Sequence, residues 1–221
     1  MPPRLIKWIF RISVLTNIVL LTFITIYLTR NKEKLTQKFI LETGDCDIVM
    51  FGDSHTGNAS WNSLIIGQKV VTFGYNGFTS DQLKSMMMTD LLPLKTGYCF
   101  IQAGGADIRT HCFDKNVLIM NIGEMIDSLQ MHGIIPVLQT LFYRQSSPDY
   151  NLQVDSINTM LMVLSDKKNV DFLNINYHLI NETGLNTEYT IEGIHLNDKG
   201  YKVWAKVINE FLESTHRSKK D

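Results

Sequence analysis

Apolar residues fall along this chain in three regimes. Ile12–Leu28 is an uncharged run (ISVLTNIVLLTFITIYL), and Trp8-Ile9-Phe10 extends it past Arg11. Residues 29–44 are polar and charged. From residue 45 onward, short apolar blocks alternate with stretches in which apolar positions recur every three or four residues. The blocks Asp47–Phe51, Lys69–Phe73, Tyr98–Ala103, Ile134–Thr140 and Val170–Leu173 have the length and continuity of strands buried on both faces. Between them, Ser80–Leu92, Val117–Met131, Leu152–Leu164 and Lys199–Leu212 carry a helical stripe, as in Leu118, Ile122, Met125, Ile126 and Leu129. The alternation predicts an α/β domain with a parallel sheet covered on both faces and right-handed crossovers. Gly133 is placed as a helix C-cap. Pro136 has no N–H for a ladder and weakens the fourth strand.

The first regime predicts a membrane anchor over residues 8–28. At about 1.5 Å per helical residue, Ile12–Leu28 crosses a bilayer only if flanking residues snorkel, and Thr16, Asn17, Thr22 and Thr25 make it a mediocre span. No small-residue cleavage site precedes Arg30, which favours a retained anchor over the alternative, a cleaved export signal. Basic residues flank both ends. The short basic N-tail favours an inside N-terminus and an extracytoplasmic domain, periplasmic or at the cell surface. The expected divisions are an anchor at 1–29, a linker at 30–44, a globular domain at 45–214 and a disordered tail at 215–221.

Charge changes the picture of the domain. The whole chain is nearly neutral at −1, but residues 1–40 hold seven Lys/Arg and one Glu, leaving 14 basic and 21 acidic residues in 41–221, a formal −7. An acidic domain is a poor nucleic-acid binder. The three cysteines, Cys46, Cys99 and Cys112, lack CxxC spacing, which argues against a zinc site or a disulfide framework. Cys46 and Cys99 read as small buried hydrophobes, with a bridge between them open if the domain is exported.

In parallel sheets, ligands bind beyond the carboxyl ends of the strands. Ser54, Gly74–Gly77, Gly104–Asp107, Phe142–Asp149 and Tyr177–His195 all fall there. Gly52-Asp53-Ser54-His55 puts a serine at a strand-to-helix turn. Glu192-Gly193-Ile194-His195 puts an acid three residues before a histidine. A hydroxyl becomes a good nucleophile when a base takes its proton and a third group orients the base, so these are the residue types a serine esterase needs. The duller alternatives are an N-cap by Ser54 or Asp53, and a βα loop capped by Thr79 or Ser80. The remaining histidines share no spacing with acids or cysteines.

These blocks resemble the SGNH (GDSL-type) serine hydrolases, nearest in pattern to the platelet-activating-factor acetylhydrolase-like esterases. The likeness covers roughly residues 46–212 and includes Trp61-Asn62-Ser63-Leu64, the glycine turn at 74–77, and His195-Leu196-Asn197-Asp198-Lys199-Gly200-Tyr201 with Trp204. It implies a three-layer α/β/α sandwich whose five-stranded parallel sheet has order 2-1-3-4-5, and ester hydrolysis without metal or cofactor. The expected substrate is a small acyl ester, usually acetyl, on a carbohydrate or cell-envelope molecule. By position, Ser54 would be the nucleophile, His195 the general base and Glu192 its orienting acid. Backbone N–H groups of Ser54 and Gly77 would form the oxyanion hole. His55, Asn76 and Asp107 are further candidates for substrate contact, with a structural role as the alternative for His55 and Asp107.

Two positions depart from the family pattern. Glu192 stands where Asp is usual, which a small backbone adjustment can accommodate. Ala106, in Gly104-Gly105-Ala106-Asp107, stands where an Asn side chain usually donates to the oxyanion. Losing one such donor costs about 100- to 1,000-fold in rate. Asn76, His55 and Arg109 are candidates to fill the gap. The departure keeps two alternatives open: acyl transfer to a glycan hydroxyl, and an impaired domain used for glycan binding or as a scaffold. Tyr143-Arg144-Gln145, beyond the fourth strand, reads as an ordinary solvated loop, with a place in the lining of the substrate cleft as the alternative.

Overall fold

The computed structural model describes residues 2–218. The chain divides into two compact units, Met1–Phe39 and Ile40–Asp221.

The first unit is helical. Helix α1 covers Pro3–Thr43, so the expected linker at 30–44 is helix almost throughout. No Gly or Pro interrupts it before Gly44, whose φ of +67° and N–H bond to Ile40 O end it. Within it, Arg11–Lys32 is a 22-residue candidate span of mean hydropathy 2.0. The threonines expected to weaken the span satisfy their hydroxyls locally: Thr16, Thr22 and Thr25 each donate to the carbonyl four residues back, at 2.8–2.9 Å.

The second unit begins at Ile40, earlier than the expected boundary at 45, because Ile40 is buried with the core. It runs β1 (Ile48–Gly52), α2 (Ser54–Gly57), α3 (Trp61–Leu64), β2 (Val70–Gly74), α4 (Ser80–Met86) with a π-helical turn at Met87–Leu91, and β3 (Tyr98–Gln102). There follow α5 (Lys115–Met131), β4 (Ile135–Gln139), α6 (Pro148–Lys168), β5 (Asp171–Leu173), the small hairpin β6–β7 (Ile180–Asn181, Gly184–Leu185) and α7 (Asp198–Ser218). The sheet is parallel, with order β2-β1-β3-β4-β5, as the family resemblance implies. Pro136 lies inside β4 opposite Cys99, but β5 pairs only from Val137 onward, so the missing N–H falls where one side of the ladder is open. α7 continues four residues past the expected domain end at 214; residues 219–221 lie outside the described residues.

Period-two alternation sends the strand side chains to two cores. Val49, Phe51, Val71, Cys99, Ile101 and Leu138 pack against α4, α5 and α6. Ile48, Met50, Val70, Phe100 and Val137 pack against α3 and α7, where Trp61 and Trp204 are fully buried with ring centroids 4.7 Å apart. Cys46 and Cys99 are buried and unbridged, and desolvation raises both thiol pKa values, as suits small core hydrophobes.

Candidate active site

Each block of the motif is set by a local steric or hydrogen-bonding demand. A Cβ at Gly52 would lie 2.1 Å from the carbonyl oxygen of Gln102 on β3, so only glycine lets β1 turn there. Asp53 then caps α2, accepting the His55 N–H at 3.0 Å. Ser54 opens the helix. At the end of β2, a Cβ at Gly74 would lie 2.1 Å from Gly57 Cα, so backbone packs directly on backbone. Tyr75 N–H bonds Gly52 O, and the chain reverses through Tyr75–Phe78 with Gly77 at φ +76°, the positive φ that a type II turn demands of its third residue. Thr79 and Gln82 close a capping box at the start of α4, so of the two expected caps it is Thr79 that serves.

The acid-x-x-histidine loop is equally determined. Thr190 Oγ1 donates to His195 O at 2.8 Å and accepts Gly193 N–H at 2.9 Å, while Ile191 N–H bonds His195 O at 3.0 Å. Gly193, at φ +84°, lets the loop fold so that Glu192 meets the ring it precedes. Glu192 Oε1 bonds His195 Nδ1 and accepts the His195 backbone N–H at 3.2 Å. His195 Nε2 lies 3.1 Å from Ser54 Oγ, across 141 residues of sequence. The hydrogen bond to His195 holds the Glu192 carboxyl below its ordinary pKa, although its side chain remains 45 % exposed.

Ser54 and His195 open on a recess of about 120 Å³, lined also by Asp53, His55, Gly77, Gly105, Ala106, Arg109, Arg144, Tyr150 and Ile194. A wider groove of about 680 Å³ meets His195 from the other side, against Asn58, Ile191, Lys199 and Tyr201. Burial dominates the electrostatics of the recess. It pushes Asp53 up to about 6 and His55 down to about 3, the latter aided by the nearby His195 and Arg144. The His55 ring packs edge-on against Phe142 at 5.1 Å, and its carbonyl accepts the Tyr201 hydroxyl at 2.8 Å.

The expected site residues separate into two groups. Ser54, Gly77, His55 and His195 line the recess, and Glu192 stands behind His195. Asn76 does not line it; it sits exposed in the Tyr75–Phe78 turn. Nor does Asp107, which is turned inward, accepting Ser80 N–H at 2.9 Å and Ser80 Oγ–H at 2.6 Å, with Asn121 and Lys84 extending the network. Its role is to hold the third-block turn to the start of α4. Ala106 faces the recess with a methyl group. Of the candidates to replace the absent amide, His55 and Arg109 line the recess and Asn76 does not. Tyr150 was not singled out by the sequence; its only signal was position beyond the fourth strand. For Arg144 a solvated loop was favoured over a place in the cleft, yet it lines the recess, with its Cζ 3.8 Å over the Tyr150 ring.

The parallel sheet in this order brings a serine, an imidazole and a carboxylate in series to its carboxyl edge, where α/β sheets bind their ligands. The chain belongs to the GDSL-like Lipase/Acylhydrolase family, whose model matches residues 49–203, and is a carboxylic ester hydrolase of that family. Among solved structures it is similar to a GDSL-like lipase from Bacteroides thetaiotaomicron, at 20% identity and TM-score 0.70 over 86% of this chain and 97% of the other. It is similar also to Axe2, an acetylxylan esterase from Geobacillus stearothermophilus, at 15% identity and TM-score 0.64 over 74% and 92%. A comparison with curated proteins finds no match.

Proposed function

We propose that the chain is a membrane-anchored serine esterase that removes a small acyl group, acetyl in the simplest case, from a carbohydrate or cell-envelope ester. Ser54 is the nucleophile, His195 the general base, and Glu192 the group that fixes the imidazole. The observation that carries this is the 3.1 Å approach of Ser54 Oγ to His195 Nε2, with Glu192 bonded to the opposite ring nitrogen. In the first step Ser54 Oγ attacks the ester carbonyl and its proton passes to His195. The tetrahedral oxyanion faces the N–H groups of Ser54 and Gly77. His195 then returns the proton to the leaving alcohol as the carbonyl–oxygen bond breaks. Water, deprotonated by the same imidazole, releases the acid and restores Ser54.

Size favours a small acyl group and a large alcohol. A recess of about 120 Å³ suits a few non-hydrogen atoms, whereas the groove of about 680 Å³ beside His195 suits a sugar. The family likeness to an enzyme described as an acetylxylan esterase points the same way. Residues 8–28 would anchor the protein with its domain on the extracytoplasmic side, in keeping with the candidate span Arg11–Lys32. Labelling of the full chain by a fluorophosphonate probe tests the reading. Ser54 should label, and Ser54→Ala and His195→Ala should not. A well-folded chain whose Ser54 stays unlabelled would sink it.

A further inference from the structure

We propose that Arg109 and Arg144 form a cationic clamp beside Ser54, and that the ester processed there carries an anionic group, a carboxylate or a phosphate, within reach of both guanidinium groups. This deepens the proposed function and rests on it for the position of the scissile bond.

The two arginines come from different loops, one after β3 and one after β4, yet line the same small recess as Ser54 and His195. Arg144 is built in. The Asn151 side-chain amide holds its backbone on both sides, accepting Arg144 N–H and donating to Arg144 O, each at 2.8 Å. The next residue, Gln145, ties the loop to Gly193 O at 2.8 Å, next to Glu192. A Cβ at Gly184 would lie 2.3 Å from Arg144 O, so that glycine too is fitted to this loop. Arg144 Cζ lies 3.8 Å from the centre of the Tyr150 ring, a cation–π contact, and the Tyr150 hydroxyl also accepts a hydrogen bond from Arg144, so the guanidinium is held before any ligand arrives. Arg109 ends the turn that Asp107 pins to Ser80.

Neither guanidinium has a carboxylate within 4.0 Å among the described residues. That is unexpected in a domain with 21 acidic and 14 basic residues over 41–221, where carboxylates are abundant. The one acid lining the recess is Asp53, whose Oδ1 is taken by the His55 N–H. Two guanidinium groups, Arg144 half-buried and Arg109 exposed, therefore line a recess that holds one carboxylate. Burial chiefly keeps His55 neutral, and His195, Arg144 and Arg109 also oppose its protonation while Glu192 favours it. A planar fork of donors with no carboxylate partner is matched by carboxylate or phosphate oxygens, which it can grip in pairs.

The test is a set of paired esters on the purified full chain. Methyl 4-acetoxybenzoate is compared with 4-acetoxybenzoate and 4-acetoxyphenyl phosphate, which place the anion on the alcohol side. p-Nitrophenyl acetate is compared with mono-p-nitrophenyl succinate, which places it on the acyl side. In at least one pair the anionic ester should exceed its neutral partner in kcat/KM by tenfold or more. Arg144→Gln and Arg109→Gln should each lower that ratio about fivefold or more, and raised salt should lower it in the parent. Each enzyme is scored against itself, so a general loss of folding or turnover cancels. Ratios near or below one in the parent, or ratios that neither variant moves, overturn the clamp while leaving the esterase standing. If no ester is cleaved and Ser54 is unlabelled, the esterase reading fails, and the clamp is then decided by calorimetric titration of the Ser54→Ala chain with benzoate and with phenyl phosphate. Saturable binding of either that Arg144→Gln abolishes supports the clamp, and no binding of either overturns it.

Discussion

Asp53 stands immediately before Ser54, is 4% exposed, and carries a carboxyl that burial raises from 3.8 to about 6. An acid with a higher pKa in the folded than in the unfolded state binds more protons when folded between the two values. Its contribution is therefore fully favourable below the lower value and is lost as pH rises through the upper one. At 1.36 kcal/mol per unit, the gap amounts to about 3 kcal/mol of stability given up between about pH 4 and about pH 7. Asp53→Asn removes the ionisation but keeps an oxygen to accept the His55 N–H, and asparagine caps helices as well as aspartate does. The variant should match the parent near pH 4 and exceed it by up to about 3 kcal/mol above pH 7. Urea unfolding of the full chain in detergent, followed by tryptophan fluorescence, reads this out, because Trp61 and Trp204 are fully buried in the domain. A stability difference between the two proteins that stays constant from acid to neutral pH refutes the reasoning. The variant should also turn over more slowly, since the Asp53 carboxylate attracts the imidazolium that forms on His195.

Four further outcomes are expected. Hydrolysis of a neutral acetate ester should be slower in acid than at neutral pH, because only a neutral imidazole can accept the serine proton; His55, held down to about 3 by burial, contributes nothing to that loss. A flat pH–rate curve argues against His195 as base. Glu192→Gln should lower kcat by roughly 10- to 100-fold with little change in KM, well short of the roughly 10⁴-fold cost of neutralising a buried triad acid, because water screens a side chain that is 45 % exposed; steady-state kinetics giving the full loss would contradict that screening. Ala106→Asn should raise kcat by roughly tenfold or more by restoring an oxyanion donor, and an unchanged kcat in a folded variant would mean that no donor is lacking. Gly74→Ala should cost about 3 kcal/mol or more, or prevent soluble expression, because its Cβ would lie 2.1 Å from Gly57 Cα and neither backbone can yield; a thermal midpoint equal to the parent's would refute the contact.

The parts of this molecule that were legible in the sequence are those fixed by short-range periodicity. All five sheet strands sit within a residue or two of their apolar blocks, since a strand buried on both faces must be apolar throughout. Ser54 and His195 were legible because each lies in a short segment of constrained type at a strand's carboxyl end. Helix ends were less visible. α6 runs Pro148–Lys168 and is capped by Asn169 in left-handed conformation, extending beyond the stripe at 152–164 because exposed polar turns leave no apolar mark. Asp107 could not be told from a substrate ligand, since its partner Ser80 is 27 residues away. Tyr150 was hidden for the same reason, and Arg144 was placed beyond the fourth strand but not told from a solvated loop. Their pairing depends on how Asn151 and Gly184 shape one loop, and no local pattern encodes that meeting.

The direct seating of Gly74 on Gly57 has a bearing on how such an enzyme diversifies. Where main chain abuts main chain there is no side chain to enlarge, shrink or recharge, so descendants of this scaffold have nothing to vary at the seam that fixes Ser54 relative to the second strand. Selection for a different ester must act on the far rim, where Arg109, Arg144 and Tyr150 are exchangeable, and where a single codon change can redraw which molecules are accepted while the serine stays where it is.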